Sequence, residues 1–145
     1  MISIEYIHKL LDVYNQLCRP LCQQTDIPQT SLDILMFLKN NPQYKTAADI
    51  VKIRGIKANL VSLHVERLVQ EGYLERREMT GDRRKTELIC TEKTENVWRQ
   101  GCEIQRTFIK TLFSGISAES RKVFEQVMKQ TEENLNIYQK ENKKK

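Results

Sequence analysis

Residues that interrupt regular structure are scarce in this chain, with five glycines and three prolines among 145 residues. That scarcity excludes a collagen-like or linker-rich protein and predicts a helix-rich one. Long apolar runs are missing too. No stretch approaches the ~18 apolar residues of a membrane-spanning helix. With 30% charged residues and a mean hydropathy of −0.58, the chain is expected to be soluble. The opening MISIEYIHKLLDVYNQLC sets charges inside its apolar pattern and has no small-residue cleavage site. A signal peptide is therefore not expected, and the cytoplasm is the default location. Metal-ligating residues are few and poorly spaced: two histidines and four cysteines (Cys18, Cys22, Cys90 and Cys102), with no C-x-x-C pair. No structural zinc and no cofactor is expected. The sequence also lacks a Gly-rich phosphate loop, a Gly-x-Ser-x-Gly elbow and a dense carboxylate cluster. An enzyme is not expected.

What is present begins with charge. The net charge of +5 and the pI near 9.0 lean towards a polyanionic partner, and where the charge sits decides its use. Between Arg76 and Lys85 stand five cations (Arg76, Arg77, Arg83, Arg84, Lys85) against two anions (Glu78, Asp82). A second basic cluster, Lys140 and Lys143 to Lys145, reads as a frayed, solvated end. Cys18 and Cys22 are four residues apart on an expected helix and read as reduced, half-buried thiols.

The length suits one compact domain. Residues 2–24 place Ile4, Ile7, Leu11, Tyr14, Cys18 and Leu21 at the alternating three- and four-residue spacing of a helix seam. A second stripe, Leu10, Val13 and Leu17, widens that surface and suggests burial against a partner chain. Pro20 is expected to kink or interrupt this helix. Residues 29–40 are apolar nearly all round and predict a central helix, ended by Asn40-Asn41-Pro42. Thr46 reads as the N-cap of AADIVKIR, with Asp49 at the capping-box position. Gly55 breaks that pattern. A helix over 57–71 follows, with Val61, Val65 and Leu68 on one face, His64 at the core edge and Gly72 closing it.

Two helices joined by a short Gly-containing turn form a helix-turn-helix. Tyr73–Met79 and Lys85–Thr91 then read as strands, with Leu74, Leu88 and Cys90 facing inward. Between them lies TGDRRK. Thr80-Gly81-Asp82 suffices to turn a chain, so Arg83, Arg84 and Lys85 are surplus to the fold. A helix-turn-helix followed by a hairpin with a cationic tip is a winged helix. Its second helix fits the ~12 Å major groove, and arginine on the hairpin is drawn to the negative potential of a narrow minor groove. Residues 93–114 and a helix from Ser117 or Ala118 complete the chain. They carry Val97, Trp98, Ile104, Phe108, Ile109 and Leu112, then Phe124, Val127, Met128, Leu135 and Tyr138. The expected fold class is mainly α with a small β-hairpin wing.

The segment from Ile27 to Thr91 resembles the MarR family of dimeric transcriptional regulators. The match centres on GDRRKTELICT, residues 81–91, which is similar to the family's wing motif through Asp82, Arg84 and Thr91. Glu66-Arg67-Leu68 with Gly72 and Glu75-Arg76 resembles its ending of the recognition helix. The resemblance implies a DNA-binding lobe over about 29–91, dimerisation helices over about 2–24 and 93–140, and double-stranded DNA with a pseudo-palindromic operator as partner. It implies a wing formed by Asp82, Arg83, Arg84 and Lys85, with Arg83 in the minor groove and Asp82 paired with Arg84 or Arg76. Base reading falls to Lys57, Asn59, Ser62 and Leu63. Leu60 and Leu63 depart from the polar or basic residues common in relatives, so these leucines either touch thymine methyl groups or pack inward. Cys90 stands where the family usually has Leu.

The resemblance further implies a homodimeric repressor released by a small-molecule effector, with Tyr14, Cys18, Phe37 and Trp98 as candidate pocket residues. Two alternatives stand beside it. One is a redox-sensing regulator working through Cys18 or Cys22. The other is a winged-helix protein-interaction module that does not bind DNA.

Overall fold

The computed structural model describes residues 2–143, so Lys144 and Lys145 of the basic tail lie outside it. Helix α1 (Ile4–Thr25) starts at Ser3, whose Oγ accepts the Tyr6 N–H at 3.1 Å. It runs through Pro20 without a break, contrary to the expected interruption. The proline removes one N–H, which would have bonded to the Gln16 carbonyl, and Cys18 and Leu21 on either side are anchored in the core. The chain leaves α1 through Asp26 in the left-handed region (φ 53°). The seam predicted along α1 is divided. Cys18 and Leu21 are buried, whereas Ile4, Ile7 and Leu11 are exposed.

Helix α2 (Gln29–Asn40) is the central one. Ser31, Leu32 and the whole run from Ile34 to Leu38 are buried, as expected of a helix apolar on every side. Asn41 closes it, its side chain and its backbone N–H both donating to the Phe37 carbonyl. A three-residue turn, α3 (Ala47–Asp49), winds directly into a π-helical turn, Ile50–Arg54. The capping box is present: the Asp49 N–H donates to Thr46 Oγ1 and the Thr46 N–H to Asp49 Oδ2, each at 3.1 Å. The sequence predicts ordinary helix to Arg54. The wider final turn instead closes with the Gly55 N–H on the Ile50 carbonyl, Gly55 taking φ 79° and Ile50 fully buried.

Helix α4 (Ala58–Gln70) buries Val61, Val65 and Leu68. It ends in a Schellman closure, with Gly72 (φ 82°) donating to Val69 and Tyr73 to Leu68. Strands β1 (Leu74–Met79) and β2 (Asp82–Cys90) pair antiparallel, Leu74 opposite Cys90 and Glu78 opposite Thr86. Leu74 and Leu88 are buried and Cys90 is half-buried, all as predicted. Helix α5 (Thr94–Leu112) lays Val97 and Gly101 against the core. Gly101 packs closely on Met36: a Cβ there would meet the Met36 thioether, and that flexible side chain would have to shift. The chain divides into two compact units, residues 1–108 and 109–145. The second holds helix α6 (Ala118–Asn142), capped by Ser117, with Phe124 edge-on to Phe113 at 5.3 Å. Val123, Phe124, Val127, Met128, Leu135, Ile137 and Tyr138 of α6 are exposed in this chain.

Candidate nucleic-acid interface

Packing aims α4. Three inward apolar residues hold its inner face. His64 Nδ1 shares a 2.8 Å hydrogen bond with the fully buried Ser31 Oγ, tying α4 to α2 at the core edge, where the sequence placed this histidine. Arg67 pins the far end, donating to the Asp26 carbonyl at 2.8 Å and pairing with Glu71 at 2.8 Å. With that face fixed, Lys57, Asn59, Ser62 and Leu63 all lie on the exposed surface. The leucine question is answered by exposure. Leu63 is 63% and Leu60 37% exposed, so neither packs inward.

The hairpin stands beside α4 and is joined to it at two points. At its base, Thr91 Oγ1 donates to the Gly72 carbonyl at 2.6 Å, and the Thr91 N–H donates to Tyr73. This threonine therefore locks β2 to the end of α4. Further out, Arg76 pairs with Glu66 of α4 at 2.7 Å. On the other flank the Leu88 N–H donates to the Lys45 carbonyl at 2.7 Å, and Lys45 pairs with Glu87 at 3.1 Å.

The tip differs from its expected form. Met79 pairs with Asp82, so the loop is Thr80-Gly81, with Gly81 at φ 89°. Register is then lost. Glu78 pairs with Thr86, which leaves Arg83, Arg84 and Lys85 without partners across the ladder. These three cations thus lie in an irregular stretch of β2, not in the turn, and all three are exposed. Among the described residues no carboxylate pairs with their side chains. Asp82 does brace the wing, but by accepting the Arg84 backbone N–H at 3.0 Å. Its carboxylate pairs with neither guanidinium, because Arg76 is taken by Glu66. Sequence reasoning missed the Glu66–Arg76 link. The ten-residue separation crosses two elements and leaves no periodic signal.

The four pocket candidates are not gathered around one cavity. A cavity of about 360 Å³ is lined by Trp98, Arg99, Gln100, Cys102, Glu103 and Arg106, all from α5. Of the four candidates it includes Trp98, whose Nε1–H donates to Asn40 at 2.9 Å and whose ring lies beneath Lys39. Tyr14 packs edge-on to Phe108, Phe37 stacks on Tyr44, and Cys18 is buried. Burial pushes the Tyr14 hydroxyl up to about 12 and raises the Cys18 and Cys22 thiols above their ordinary value. No group of three or more metal-ligating side chains occurs among the described residues.

Comparison with known proteins finds this geometry in known regulators. A MarR family model matches residues 25–85. YdgJ, an HTH-type transcriptional regulator of Bacillus subtilis (strain 168), is 23% identical over 134 residues, which cover 92% of this chain and 77% of its own length. Among solved structures, a MarR family transcriptional regulator from Listeria monocytogenes complexed with 26mer DNA has a TM-score of 0.80 at 14% identity, over 93% of this chain and 90% of that one. The S. aureus MepR–DNA complex has a TM-score of 0.73 at 18% identity, over 92% and 96%. Residues 25–85 thus match the MarR family model, and the chain has the winged-helix fold of these regulators.

Proposed function

We propose that this chain is a sequence-specific, homodimeric DNA-binding repressor released by a signal. One observation carries the reading: α4 presents an exposed polar row beside a hairpin whose Arg83, Arg84 and Lys85 have no protein partner among the described residues. Lys57, Asn59, Ser62 and Leu63 read the major groove. Arg83 enters the minor groove, Arg84 and Lys85 neutralise phosphate, and Asp82 holds the backbone that carries them. The similarity to two regulators solved with DNA supports this docking. The exposed apolar residues of early α1, and separately those of α6, are available to a partner copy.

A small-molecule signal is favoured over oxidation, since burial raises the Cys18 and Cys22 thiols and a peroxide sensor needs the reverse. Of the four candidate effector residues, Trp98 is retained, because it alone of them borders the cavity along α5.

The test is fluorescence-anisotropy binding to the DNA just upstream of the protein's own gene, beside random DNA of equal length. A preference of at least ~10³ is expected. Replacing Arg83 and Arg84 with Ala should weaken binding to both DNAs alike, and Asn59→Ala should cut the preference for the specific one. Equal losses on both DNAs for both variants would remove base reading from α4. A wild-type protein with no preference would favour a winged helix that docks on protein.

A further inference from the structure

The outer face of α4 is centred on a leucine. Val61, Val65 and Leu68 define the buried direction. At 3.6 residues per turn, Leu63 points about 170° away from their mean, with Asn59 about 40° from Leu63. A single exposed leucine is ordinary, but Leu63 has apolar company in Leu60 on its flank and Ile53, 47% exposed, in the π-turn that leads to α4. Cations frame this surface. Lys52, Arg54 and Lys57 precede it, Arg54 held by Asp33 at 3.5 Å, and the wing adds Arg83, Arg84 and Lys85. An apolar groove on a protein partner has no use for such a frame. A polyanion displaying methyl groups does. In the major groove thymine offers its C5 methyl beside the O4 acceptor, and a hydrocarbon side chain can touch that group and no comparable one on the other bases.

Resting on the DNA-binding reading above, we propose that Leu63 is a specificity-determining residue that recognises thymine by its C5 methyl group, so that the centre of each half-site is an A·T pair. Asn59 works to the same end, because its amide pairs bidentately with adenine. The two residues are four apart on one face of α4 and therefore address neighbouring A·T pairs.

Deoxyuridine isolates the methyl group, since it keeps every hydrogen-bonding atom of thymine. A duplex would be selected in vitro from a random pool, then each thymine replaced singly by deoxyuridine and binding measured by anisotropy. At one position per half-site the wild type should lose about three- to tenfold in affinity, the scale of one buried methyl contact. Leu63→Ala, which removes the contact from both half-sites, should bind the thymine duplex as weakly as the wild type binds a duplex with deoxyuridine at both positions, and should be indifferent to the replacement. Leu63→Met, which keeps an apolar contact, should retain the sensitivity and serves if the alanine variant folds poorly. A preferred duplex on which no deoxyuridine matters, or on which Leu63→Ala remains as sensitive as wild type, overturns this inference and leaves the DNA-binding reading standing. A pool that yields no preferred sequence overturns both.

Discussion

At the scale of single residues, two of the side chains that organise the candidate interface act through hydrogen bonds to backbone. Asp82 accepts from the Arg84 amide, and Thr91 donates to the Gly72 carbonyl. Short polar side chains suit this role because they reach neighbouring main chain without ordering a long arm. The cysteines have a different part. Cys90 lies half-buried in β2, where burial moves its thiol from the ordinary 9.0 to about 11. Two units correspond to about a hundredfold less thiolate below pH 9. Native-state alkylation of Cys90 by iodoacetamide should therefore be slow at pH 7 and rise about tenfold per unit up to pH 11. The stability consequence follows from linkage. Between pH 9 and 11 the unfolded thiol ionises while the native one keeps its proton, so the native state loses stability across that window. Labelling of Cys90 at pH 7 as fast as that of the urea-unfolded chain would refute its burial.

At the scale of elements, the reading of the chain turns on which signals are local. Capping chemistry is local, and Thr46 with Asp49 forms the predicted box. Thr46→Ala should cost about 1 kcal/mol, measured as a lower urea midpoint at unchanged m. No loss would mean that the π-turn holds α3 without its cap. The closing glycines were legible for the same reason: Gly55 and Gly72 both stand at positive φ where their helices end. The apolar seam of α1 was legible as periodicity, but which half faces the core depends on contacts distant in sequence. The irregular wing was misread for a similar reason. Turn residues mark Thr80-Gly81, whereas the loss of register at Arg83–Lys85 depends on the facing strand. The interruption expected at Pro20 does not occur, because the core contacts of Cys18 and Leu21 hold the helix on either side of it. Within the candidate site, exposure of the predicted α4 row followed from the spacing of Val61, Val65 and Leu68. The Glu66–Arg76 link did not, since no sequence pattern joins a helix to the strand beyond it.

At the scale of the whole molecule, the proposal rests on two copies. A two-fold dimer sets its recognition helices about one helical turn apart, roughly 34 Å, on a pseudo-palindrome. A signal that alters that spacing releases both helices together, because neither half-site alone holds the protein tightly. On the proposed reading, the net charge of +5 contributes a salt-sensitive attraction that the wing concentrates against phosphate. The most direct test is the salt dependence of wild-type binding to its upstream DNA. The account predicts that log affinity falls steeply and linearly with log salt, with a slope of several units and about two units less for the Arg83→Ala, Arg84→Ala double variant. A shallow slope shared by wild type and variant would contradict it, and would reassign the wing and the exposed leucines of α4 to a protein partner.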